Sequence, residues 1–280
     1  MPTWDEVLAE NDDIVDMESI SPHPNFMVYG ASGSGKTVLG GSDDKVLFLT
    51  CEAEGCISAK RMGSNAKQKI ITHYDQFDDF YERAYEWGQS ESGIPFTWFV
   101  IDTISDLQGL LFDKILDERK KIVEDWPEYR LNQKMLLRAV KKWNALPVNI
   151  LWLAWDRVEE DDEGNKFMCP EIHGKGYSIA MQVAAQMTSY GHLSVRTTKV
   201  PMVDAKGEKV LNPKTKKQRV TLETSRYIYW QDIQTMRGKD RTMALAPYTK
   251  DLTLKDIRLR VEKAFAEVGS PSNTTEEEGI

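Results

Sequence analysis

Residues Gly30-Ala31-Ser32-Gly33-Ser34-Gly35-Lys36-Thr37 follow the pattern Gly-x-x-x-x-Gly-Lys-[Ser/Thr], the spacing of a loop that holds a polyphosphate. Small residues let successive backbone N–H groups close around α- and β-phosphates. The Lys36 ammonium then reaches β/γ oxygens, and the Thr37 hydroxyl is placed as a ligand for Mg²⁺. Gly35, Lys36 and Thr37 also open a helix, whose first amides favour an anion. The chemistry expected is therefore that of a nucleoside triphosphate, with ATP and Mg²⁺ bound together.

Two carboxylates have the right form to work beside such a loop. Phe99-Val100-Ile101-Asp102-Thr103 ends an apolar strand in an acid, and Asp102 would face Mg²⁺ directly or through water at the carboxyl end of a parallel strand. Val46-Leu47-Phe48-Leu49-Thr50-Cys51-Glu52 delivers a second acid in the same way. Glu52 can act there as the general base that orients the attacking water. Glu54, two residues on, is its rival.

These side chains need a sheet to bring them to one edge. Phe26–Tyr29, bounded upstream by Ser21-Pro22-His23-Pro24, reads as the strand that feeds the loop. Val46–Thr50, Thr97–Ile101 and Val148–Trp155 read as further buried strands, and Tyr74–Trp87, Ile104–Lys121, Leu131–Leu146 and Lys255–Val268 as helices. Such alternation implies an α/β fold with a mainly parallel sheet. Late in the chain, Leu193–Thr198 and Val220–Glu223 flank a turn at Asn212-Pro213-Lys214 as a β-hairpin, and Tyr227–Ile233 is expected as one more strand.

The composition sets outer bounds. The chain has 280 residues, 41% apolar and 29% charged, with a net charge of −8, enough for one large domain. Its longest apolar run, Ile150–Trp155, is far too short to cross a bilayer. The acidic start has none of the features of a signal peptide, so a cytoplasmic location is expected. Three cysteines, Cys51, Cys56 and Cys169, without Cys-x-x-Cys spacing, argue for reduced thiols and against zinc. Charge is uneven: residues 1–20 are acidic, whereas Arg196 to Arg219 is rich in lysine and arginine. That basic stretch is either a nucleic-acid surface or a solvated lysine-rich hairpin. If DNA binds there, Lys214, Lys216, Lys217 and Arg219 would neutralise phosphates, and Tyr227, Tyr229 or Trp230 would be available for stacking.

The order of phosphate loop, strand ending in Glu52, strand ending in Asp102, further apolar strand and then Met236-Arg237-Gly238-Lys239-Asp240-Arg241 resembles the RecA-like ATPases of bacteriophages. More narrowly, it resembles their core-only group of nucleotide-binding or single-strand annealing ATPases, over about residues 21–250. The resemblance implies a RecA-like P-loop core with a mainly parallel sheet flanked by helices, here extended by the C-terminal β-hairpin. It also implies association of subunits with ATP near their interface, and work on single-stranded DNA in the recombination or replication of a phage within its host's cytoplasm, beside other phage replication or recombination proteins. In that group a late Lys-x-Arg pair reaches a neighbouring subunit's γ-phosphate, and Lys239 and Arg241 match its form.

Two departures stand out. The strand Ile150–Trp155 runs into Asp156-Arg157 where an uncharged polar sensor of the γ-phosphate is expected, and a carboxylate there needs pairing with Arg157 or Mg²⁺. Residues 159–163 are all acidic where DNA-facing loops begin, leaving His173-Gly174-Lys175-Gly176, with Lys175, as the segment compatible with DNA. The expected organisation is an acidic helical segment at 1–20, the ATPase core at 21–268 and a disordered acidic tail at 269–280. Two rivals remain: an ATP-driven loader or remodelling factor acting on a protein, and a small-molecule kinase of the same loop class.

Overall fold

The computed structural model describes residues 23–174, 178–204, 207–211 and 213–268. The expectations for residues 1–20, Lys175 and residues 269–280 fall outside them. Four strands form the centre of the sheet: β1 (Asn25–Tyr29), β2 (Val46–Thr50), β4 (Trp98–Asp102) and β5 (Asn149–Ala154). Each is apolar almost throughout and buried along its length, apart from the half-buried first residue of β1, the pattern of a parallel strand covered on both faces.

Alternate side chains feed two cores. Met27, Tyr29, Leu49, Phe99, Ile101 and Trp152 meet the helices α3 (Tyr74–Gln89), α4 (Ile104–Arg119), α5 (Trp126–Trp143) and α6 (Ser178–Ala185) on one face. Phe26, Val28, Phe48, Trp98, Val100 and Leu151 meet α1 (Lys36–Gly40) and α7 (Leu254–Val268) on the other. The periodic helices predicted from sequence are all present, although α5 starts earlier than expected. There Asp125 and Glu128 form a reciprocal capping box with Pro127 in the first turn.

The main sheet has nine strands, ordered β11-β9-β8-β1-β5-β4-β2-β3, with β10 also paired to β8. Pairing is parallel from β8 (Ser189–Pro201) through β3 (Lys67–Ile70). It is antiparallel for β9 (Val220–Tyr229), β10 (Lys239–Asp240) and β11 (Tyr248–Lys250). A short helix α2 (Ile57–Arg61) precedes β3, and β6 (Asp156–Glu160) with β7 (Lys166–Pro170) forms a separate hairpin. Residues 159–163, expected near a DNA-facing loop, thus lie at the end of the first strand and in the turn of that hairpin.

Register decides what meets at the sheet's carboxyl edge. Thr50 lies opposite Asp102, Asp102 opposite Leu153, and Tyr29 opposite Ala154, so the segments leaving β1, β2, β4 and β5 emerge side by side. Beyond His192, β8 leaves the body and continues with β9 as a two-stranded arm, exposed on both sides over most of its length. The expected strand at Tyr227–Ile233 is not separate. Val220–Tyr229 is one ten-residue strand, because its pairing with β8 runs unbroken from Pro201–Val220 to His192–Tyr229.

Helix α7 is fastened to the sheet through a buried acid. Asp43 accepts hydrogen bonds from Trp98 Nε1 (2.9 Å), Arg258 Nε (2.6 Å) and Arg258 Nη2 (3.1 Å). Removing one partner of a buried pair leaves an uncompensated charge. Arg258→Ala should therefore lower unfolding free energy by roughly 3 kcal/mol in urea titration, whereas the double change Asp43→Asn, Arg258→Met should cost less than that single one.

Candidate nucleotide site

The loop after β1 wraps a cavity of about 340 Å³ at the carboxyl edge, lined by the phosphate loop, Glu52, Asp102, Asp106, Trp155 and Arg226. Two glycines are required by geometry. A Cβ on Gly30 would lie 2.5 Å from the Leu193 carbonyl, and Gly35 has φ of 100°, a conformation that side chains disfavour. Lys36 folds back over its own loop, its Nζ donating to the carbonyls of Gly30 (2.7 Å) and Ala31 (3.1 Å). Burial pulls its pKa down, while Asp102, Asp156 and Asp106 oppose that shift.

Thr37 Oγ1 donates to Asp102 Oδ2 at 2.7 Å. Burial pushes the Asp102 carboxyl up to about 6, against the Thr37 hydroxyl and the Lys36 charge, with Asp106 and Glu52 adding repulsion. Asp106 is held in the first turn of α4, where its backbone N–H donates to Thr103 Oγ1. Glu52 sits two residues beyond β2 in a turn fixed by Thr50, whose hydroxyl both accepts from the Glu52 N–H and donates to the Glu52 carbonyl. The rival Glu54 lines a neighbouring cavity with Cys56, Lys60 and Asn65 instead. Burial, then nearby carboxylates, push the Cys51 and Cys56 thiols up to about 12.

Several features fit Mg²⁺ and a triphosphate. The Ser34 hydroxyl is buried in the loop without a hydrogen-bond partner, and the Lys36 ammonium rests on carbonyls that phosphate oxygens would outcompete. Asp102 and Thr37 already touch, as two ligands of one cation would. Among the described residues no cluster of three or more His, Cys, Asp or Glu could cage a metal.

Arg226 was not foreseen. It comes from β9, far along the chain, and its Nε donates to the Ser34 carbonyl at 3.1 Å, placing a second cation on the cavity wall. No local motif marks it. Thr103-x-x-Asp106 after the β4 acid, by contrast, is a legible helix-start signal.

Other expected residues lie elsewhere. Lys239 and Arg241 both donate to the Ala185 carbonyl (3.2 and 3.3 Å). They sit where β10 pairs with Ser189 and Tyr190, at the end of the sheet away from their own phosphate loop. Burial and then Arg241 pull Lys239 down to about 8. Lys214, Lys216, Lys217 and Arg219 lie on the exposed arm. Trp230 is not available for stacking: it is fully buried, with its Nε1 donating to Thr249 Oγ1 at 3.0 Å. Asp156 meets a histidine, while Arg157 bonds Glu159 at 2.8 Å. His192 Nε2 takes Asp156, at 3.1 Å, and holds its pKa below the usual carboxylate range.

A family model described as an AAA domain matches residues 23–242. The chain belongs to that AAA-domain family, and its loop has the Gly-x-x-x-x-Gly-Lys-Thr form of a P-loop protein. No curated protein matches. Among solved structures it is similar to a prototypical ATPase from the type III secretion system of pathogenic bacteria, at 10% identity and a TM-score of 0.41. The match covers 61% of this chain and 51% of that one, so the chain spans about half the length of that relative. Among the described residues no helix is long and apolar enough to cross a membrane.

The raised Asp102 carboxyl has a sign that can be measured. Its folded value, about 6, lies above its ordinary 3.8. The stability it contributes is whole below the ordinary value and falls away as pH rises through about 6. Nucleotide-free Asp102→Asn should therefore be more stable than the parent at about pH 8, by up to ~3 kcal/mol. At about pH 4 the two should unfold alike. Denaturant titration at both pH values checks this.

Proposed function

We propose that the chain binds Mg·ATP between Gly30–Thr37 and Asp102, and hydrolyses it with Glu52 as the base that orients water. The observation that carries this reading is the convergence of Lys36, the Thr37–Asp102 hydrogen bond and Glu52 on one cavity. Backbone amides of the loop and Lys36 would hold the β- and γ-phosphates, and Arg226 would steady the loop from outside. Thr37 and Asp102 would hold Mg²⁺, which supplies neutralising charge on the phosphate oxygens when bound. Glu52, exposed at the cavity mouth, is open to water, as a base that must exchange its proton needs to be.

The finer reading is of a RecA-like phage ATPase that works on single-stranded DNA in recombination or replication, in assemblies that seat ATP near subunit contacts. The likeness in motif order supports it, and so does the reversal of charge along the arm of an otherwise acidic chain. Lys239 and Arg241 would then complete a neighbour's site, since their position rules out their own. A cation that arrives only on assembly stabilises transition-state charge and makes turnover depend on contact between subunits.

Glu52→Gln should retain nucleotide affinity in calorimetry and lose roughly 10²–10⁴-fold in kcat; full activity would move the base elsewhere. For the interface pair, Lys36→Ala and Arg241→Ala should each be inactive alone, and mixing them should restore part of the turnover. Absence of rescue counts against Lys239 and Arg241 acting between subunits.

A further inference from the structure

On one face of the sheet's outer strands, three tyrosine rings gather. Tyr229 lies opposite both His192 and Tyr248, and Tyr227 lies opposite both Ser194 and Lys250, so these side chains share a face. Ring centroids are 6.5 Å apart for Tyr227–Tyr229, nearly parallel at 25°, and 5.9 and 6.0 Å for Tyr248 with each of them. Arg196 lies 5.1 Å over Tyr227 and 5.6 Å over Tyr229, and also bonds the Tyr229 hydroxyl. Lys250 lies 6.0 Å over Tyr227. Tyr248 is 54% exposed, an unusual position for a large ring that only packs a core.

We propose that this face is a base-stacking platform for single-stranded nucleic acid, with Tyr248 and Tyr227 as the stacking rings and Arg196 and Lys250 as phosphate partners. The proposal rests on the reading of a single-stranded polymer as the substrate. Its argument for that occupant is complementarity. Aromatic rings offer sequence-tolerant stacking, worth about 1–3 kcal/mol per base, and cations beside them answer the phosphates. Further up the same face Thr198 lies opposite Glu223, so the cations that serve the rings are Arg196 and Lys250.

The platform also has a route to the nucleotide. Tyr227 follows Arg226 directly, and the two project from opposite faces of β9. Arg226 holds the phosphate loop through the Ser34 carbonyl, so a strand loaded on one face is joined to the loop on the other by a single residue step.

The test is fluorescence anisotropy of labelled oligothymidylate, with an abasic oligonucleotide of equal length beside it. Tyr248→Ala should weaken oligothymidylate binding about tenfold while leaving the abasic strand and ATP affinity unchanged, and Tyr248→Phe should bind like the parent. Lys250→Glu should weaken both strands and flatten the salt dependence. If the parent binds oligothymidylate and Tyr248→Ala binds it equally well, the platform is wrong and the single-strand reading stands. Equal weakening on both strands by Tyr248→Ala would also overturn stacking. If the parent binds neither strand at low salt, the single-strand reading itself fails and takes the platform with it.

Discussion

The hydrogen bond from Thr37 to Asp102 is the constraint around which the site is built. It joins the helix that follows β1 to the end of β4, two strands away across β5. That reach is possible only because β1, β5 and β4 pair in parallel and end together, with Tyr29 level with Ala154 and Leu153 level with Asp102. A slip of one residue would turn Asp102 into a core and bring an apolar side chain to the cavity. The cost of burying this acid is visible in its raised pKa. One hydroxyl and one nearby ammonium do not fully compensate a carboxylate out of water, and a divalent cation would.

The arm shows how a second region of the chain reaches the same loop. Strand β8 is an ordinary parallel neighbour of β1 up to His192 and then runs on past the sheet's edge. Because β9 returns along it, Arg226 comes level with Val195, just beyond the Leu193 carbonyl that crowds Gly30. The glycine and the arginine therefore answer to one geometry: the loop must press against β8, and β9 must supply the cation that closes over it. The Arg226–Ser34 hydrogen bond is the link from the arm to the loop.

Much of this was legible in the sequence, for reasons that differ by element. β1, β2, β4 and β5 announce themselves because strands buried on both faces carry unbroken apolar runs, and the loop and the two acids take their positions from those strand ends. β3, with the sequence Lys-Gln-Lys-Ile, is an edge strand exposed along most of its length, so hydrophobicity does not mark it. β6, with the sequence Asp-Arg-Val-Glu-Glu, is unmarked for the same reason. Tyr227–Ile233 reads as a fresh strand because its aromatic run is conspicuous, but pairing with β8 had begun seven residues earlier, at Val220. Arg226 was beyond reach of local pattern altogether. Its place depends on the register of a long antiparallel pair, and nothing within a few residues of it encodes that register.

Asp156 shows how one strand can repair a conflict that another creates. An acid just beyond β5, at the start of β6, would repel a triphosphate and weaken any response to it. His192 pairs with that acid at 3.1 Å, and it stands on β8 level with Tyr29, against whose ring it packs edge-on at 5.0 Å. The consequence is a chain of contacts from Lys36, whose charge feels Asp156, through Asp156 to His192 and so to Tyr229 opposite it. A neutral polar residue at position 156 would sense phosphate and stop there. An acid held by its histidine instead places a charged pair between the cavity and the face of the outer strands.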